Sequence, residues 1–102
     1  MSKIKSKKLS WVASPDSDVV AYNVYCALGS SVSYDSPKVV VAAPATEYSL
    51  PGVFDMSSSA DYTLAVSAVD AAGNESDLSV SITSFFDVQA PIAPTSLTIS
   101  DL

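Results

Sequence analysis

The sequence predicts an all-β domain of two sheets packed face to face, and three observations carry that expectation. Apolar residues recur at every second position in six short runs, the period that turns one face of a strand inward. Clusters of Ser, Pro, Asp, Asn and Gly separate the runs at the spacing of a sandwich or small barrel. Twenty of the 102 residues are serine and strong helix formers gather in no continuous run, so local preference favours strands and turns.

The first run alternates Leu9, Trp11 and Ala13 and stops at the turn Ser14-Pro15-Asp16-Ser17-Asp18. Val20, Tyr22, Val24 and Cys26 follow on one face of a second strand, with Ala21, Asn23 and Tyr25 on the other, until Gly29-Ser30-Ser31 closes it. Residues 38–43 are β-branched and lie between Pro37 and Pro44, which suits a strand at a sheet edge, where a missing N–H does least harm. Residues 46–50 put Tyr48 and Leu50 on one face. The clearest strand covers residues 62–69, with Tyr62, Leu64, Val66 and Ala68 inward, and the turn from Asp70 to Ser76 ends it. Leu78, Val80 and Ile82, alternating with Ser79, Ser81 and Thr83, give the last strand of the body, from a sheet with one wet face.

Taken together, Leu9-Ser10-Trp11, residues 18–25, residues 62–70 and Gly73-Asn74-Glu75-Ser76 resemble strands B, C and F and the FG turn of a fibronectin type III domain, most of all its bacterial form, across residues 9–86. The resemblance implies a two-sheet immunoglobulin-like sandwich of about seven strands counting a C-terminal one. It also implies a core of Leu9, Trp11, Tyr22, Val24, Tyr62, Leu64, Val66, Val80 and Ile82. Tyr62 takes the place of the tyrosine-corner residue, its hydroxyl reaching a nearby backbone group, with Met56 where the family usually has leucine. One departure stands out: residues 1–8 form a basic lead in place of the family's strand A. Residues 87–102 resemble the linker and strand A that would open a following domain, with Leu97 and Ile99 alternating inward. That pattern suggests a slice of a tandem array or a permuted unit. It predicts that residues 95–99 pair with the strand of Leu9 and Trp11, either within one chain or by strand exchange between copies, which makes Leu97 and Ile99 the self-association residues.

Composition narrows the function. A chain of 102 residues, 48% hydrophobic and 16% charged, has the length and apolar content for one packed core. Net charge is −6, four of the five cations precede Leu9, and eleven carboxylates face Lys38 alone beyond it, which argues against a nucleic-acid partner. No run approaches the roughly 18 apolar residues of a membrane span, and the lead lacks the apolar stretch of an export signal. Cys26 is the single cysteine; with no histidine to activate it, it reads as a small buried apolar residue. The same absence of histidine, and of any glycine-rich phosphate loop, points away from an enzyme.

Two binding surfaces remain as expectations. The resemblance places the BC and FG loops at one pole, gathering Asp16, Asp18, Asp70, Asn74, Glu75 and Asp77, an oxygen-donor set of the kind that holds calcium. On the alternative reading the same residues merely shape their turns by local hydrogen bonds. Tyr25, Tyr34, Phe54 and Phe85 fall off the main core face or in loops, where exposed aromatics would take carbohydrate or protein. The function expected from the resemblance is a non-catalytic spacer or protein-interaction module of an extracellular or cell-surface multidomain protein, with no resident cofactor. The alternative is an adhesion domain, dependent on carbohydrate or calcium, that binds through the acidic pole or the tyrosines.

Overall fold

The computed structural model describes residues 7–56, 58–87, 93 and 98–101. Six strands follow in order: β1 (Lys7–Ser10), β2 (Val19–Leu28), β3 (Lys38–Ala42), β4 (Glu47–Leu50), β5 (Ala60–Asp70) and β6 (Ile82–Phe86). They form two antiparallel sheets, one of two strands in the order β1-β4 and one of four in the order β3-β2-β5-β6. The fold is an all-β sandwich.

Burial of alternate residues explains the layering. Tyr22, Val24 and Cys26 of β2, Tyr62, Leu64 and Val66 of β5, and Phe86 of β6 form the inner face of the larger sheet; Leu50, Phe54 and Met56 close over them, and Leu9, Trp11 and Tyr48 pack against that cluster. Each large apolar side chain so buried contributes roughly 1.5–3 kcal/mol. Cys26 is a buried free thiol opposite Leu64, and burial pushes its pKa up. The Tyr62 hydroxyl donates to the Ser58 carbonyl (2.7 Å), the local backbone bond expected of it.

Several elements differ from their sequence reading. β1 begins at Lys7, inside the basic lead, and ends at Ser10; Trp11 prolongs the pairing only through its amide, which donates to the Thr46 carbonyl (3.0 Å). In β2 the pairing with β5 slips between Val19 and Ala21. The extra residue of such a bulge changes which side chain faces inward, so Val19 packs on the core while Val20 is exposed.

The last strand is displaced, and two expected core residues lie outside. Regular continuation of the β5–β6 register, in which Leu64 opposes Ile82, would set residue 80 opposite Val66. Instead the Ser79 amide donates to the Val66 carbonyl and the Ser76 amide to the Ala68 carbonyl. The Ser79 and Ser76 hydroxyls accept from the Val66 and Ala68 amides in return. Serine oxygens thus replace main-chain carbonyls, the ladder slips, and Val80 is thrown outward, 96% exposed. Ile82 fails as a core residue for another reason. It shares the inward face with Leu64, because directly opposed residues point to the same side, but the covering sheet has only two strands and leaves it 56% exposed.

Of the C-terminal pairing, residues 95–97, Leu97 among them, lie outside the described residues. Residues 98–101 belong to no strand, and Ile99 is 99% exposed.

Candidate functional site

The loop after β1 and the turn after β5 meet at one end of the sandwich, where the Ala71 amide donates to the Asp18 carbonyl (3.2 Å). Between them opens a cleft of about 400 Å³, and all six residues expected at this pole, Asp16, Asp18, Asp70, Asn74, Glu75 and Asp77, line it together with Trp11 and Tyr22. Trp11 meets Tyr22 edge-on with ring centroids 5.5 Å apart. The Tyr22 hydroxyl accepts from the Ser14 amide (3.0 Å), which ties the first loop to the sheet.

Bringing six polar residues to one cleft does not close them around a point. Among the described residues no three acidic, histidine or cysteine side chains form a group that could hold a metal ion. The reason is local. Asp70 accepts from the Asn74 amide (2.8 Å), the Ala72 amide (3.0 Å) and the Asn74 side-chain amide (3.1 Å), folding its own turn. The bonds from Asn74, main chain first, hold its carboxyl below the usual carboxylate range. Asp16, Asp18 and Asp77 face solvent.

Glu75 points to the other side of the sheet. Its Oε2 accepts from Asn23 Nδ2 (3.0 Å), from the Tyr25 hydroxyl and from the Ser67 hydroxyl. These bonds, that from Asn23 foremost, depress its pKa, while burial and then Glu75 itself raise that of Tyr25. Asn23, Tyr25 and Ser67 are consequently buried on what alternation marks as the wet face. Sequence reading missed this network; its only signal was three hydrogen-bonding side chains on outward positions of the two longest strands.

The four aromatics do not form one binding surface. Tyr25 and Phe54 are buried, the latter edge-on to Tyr48 at 6.1 Å. Tyr34 and Phe85 remain exposed; Tyr34 packs edge-on to Tyr25 (5.9 Å), and its hydroxyl donates to the Ser76 carbonyl (2.8 Å).

A second candidate surface is main-chain in character. Because the Trp11 amide bonds Thr46, the odd-numbered residues of β1 direct their amides and carbonyls to β4, and those of Lys8 and Ser10 face the opposite edge. Among the described residues no strand pairs with that edge. Lys7 ties β1 across to β6, its Nζ donating to the Phe85 carbonyl (3.3 Å) and lying 4.7 Å from the Phe86 ring centroid. Lys7 thus holds β1 against the C-terminal end of β6.

Compared with protein-family models, curated proteins and solved structures, the chain matches none of them.

Proposed function

We propose that this chain is a non-catalytic interaction and spacer module of the fibronectin type III kind, belonging to an extracellular or cell-surface multidomain protein, and that it binds by accepting an extended polypeptide along β1. One observation carries the reading: among the described residues no strand pairs with the Lys8 and Ser10 edge of β1. Unpaired strand edges template the addition of another strand, main-chain bonds giving affinity and apolar side-chain positions giving selectivity. On the resemblance, β1, β2 and β5 correspond to strands B, C and F, and the family's strand A would occupy this edge. Two of the other three edges, those of β3 and β4, are less inviting. β3 is bracketed by Pro37 and Pro44, and Pro51 follows β4 directly.

The test is a random-peptide selection against the chain, followed by amide hydrogen exchange with the selected peptides. Binders should alternate apolar and polar residues and slow exchange at Lys8 and Ser10. Peptides that instead protect the loop cleft around Trp11 and Asp16, or a failure to select any binder, would overturn the proposal.

A further inference from the structure

We infer that Lys7 guards the outer edge of β6, and that a chain deprived of its charge pairs through β6 with a second copy of itself. The direction of the backbone groups in β6 follows from its neighbour. The Gly29 amide donates to the Asp61 carbonyl (2.9 Å), so the odd-numbered residues of β5 turn their amides and carbonyls to β2 and the even-numbered ones turn theirs to β6. The Val66 carbonyl agrees, accepting from the Ser79 amide on the β6 side. With Leu64 opposite Ile82, Tyr62 opposite Ser84 and Ala60 opposite Phe86, the groups of Ile82, Ser84 and Phe86 face β5, and those of Thr83 and Phe85 face away. Among the described residues no strand pairs with that edge. What meets it is Lys7, whose Nζ donates to the outward Phe85 carbonyl (3.3 Å).

The strand itself carries no protection. Residues 78–86 contain neither a charge nor a proline, the devices that ordinarily blunt a sheet edge, and Ile82 and Phe85 are 56% and 55% exposed. β6 is also complementary to itself. In an antiparallel pair centred on Ser84, the Thr83 amide donates to the Phe85 carbonyl of the partner subunit, and the same exchange is repeated across the two-fold axis. Directly opposed residues share a side, so Ile82 comes to lie opposite the partner's Phe86, and Phe85 opposite the partner's Thr83. No charged residue of β6 is opposed to another. Lys7 counters this pairing in two ways. Its Nζ occupies the carbonyl that the partner's Thr83 amide needs, and the pairing would bring the two Phe85 carbonyls, each with its ammonium, within roughly 10 Å, where like charges still repel at ordinary salt.

Substitutions of Lys7 in the full chain test the inference. Lys7→Met keeps a long unbranched side chain beside Phe86 while removing the donor and the charge, and Lys7→Arg keeps both. Light scattering should find the wild type and Lys7→Arg monomeric at concentrations where Lys7→Met at least doubles its apparent mass. Amide hydrogen exchange at Thr83 and Phe85 should slow in the associated form. Lys7→Ala should associate in the same way, which covers the case of a methionine that disturbs folding. Adding Phe85→Pro to either variant removes an outward amide but no bond to β5, and should restore the monomer. Four results would overturn the inference: a wild type already protected at Thr83 and Phe85 by association, an associated Lys7→Arg, Lys7→Met and Lys7→Ala both as monomeric as the wild type, or association that persists after Phe85→Pro.

Discussion

Glu75 is the acceptor on which three side chains of the larger sheet converge, and its removal strands all three. Gln at this position retains an oxygen but loses the charge that strengthens bonds from Asn23, Tyr25 and Ser67. The carboxylate is open to solvent, so the loss is discounted to about 1 kcal/mol, or roughly 4 °C in melting temperature. Its folded pKa lies below the ordinary 4.5. The stabilisation is therefore complete above 4.5, shrinks as pH falls below it, and vanishes below the folded pKa. Melting curves across a pH series should show Glu75→Gln less stable than wild type at neutral pH and equal to it in strong acid; a difference unchanged down to that range would refute the network's role. The sequence marked Glu75 as one member of an acidic pole. Its true partners are set by the β2–β5 register that puts Asn23 opposite Ser67, and no local pattern encodes a pairing across some forty positions of chain.

At the level of elements, alternation was readable wherever a strand paired regularly. β5, the inner face of β2, the proline-bounded β3 and the short β4 all follow their apolar pattern, because both neighbours in each ladder keep step. The pattern misled at the two slips. Val20 and Val80 sit where one residue too many enters the pairing, and periodicity has no means of registering an insertion. Matched substitutions make the contrast measurable. Val24 is fully buried, and Val24→Ala should cost about 2 kcal/mol as lost burial plus an unfilled cavity. Val80→Ser should change stability by less than about 0.5 kcal/mol. Comparable costs at the two positions would mean that residue 80 belongs to the core after all.

For the molecule as a whole, the sequence indicated two sheets but not their imbalance. Counting six patterned runs says nothing of how they divide, and the division into two and four follows from which edges find partners in space. The candidate binding surfaces show the same limit. The acidic residues were legible as a group, since loops at one end of a sandwich must meet, whereas the fate of each carboxylate depended on turn geometry. The open edge of β1 could be anticipated only by noticing what was absent beside it.

Cys26 gives the whole molecule a built-in clock. Its thiol lies between the sheets, 4% exposed, its raised pKa keeps it protonated, and no other cysteine competes with it for reagent. A thiol-reactive dye can reach it only when the two layers part, so the rate of labelling in native buffer counts opening events in the sandwich. Val24→Ala should quicken that rate in step with its lost stability, and Val80→Ser should leave it unchanged. Prompt labelling of the unaltered chain would mean that the layers part freely.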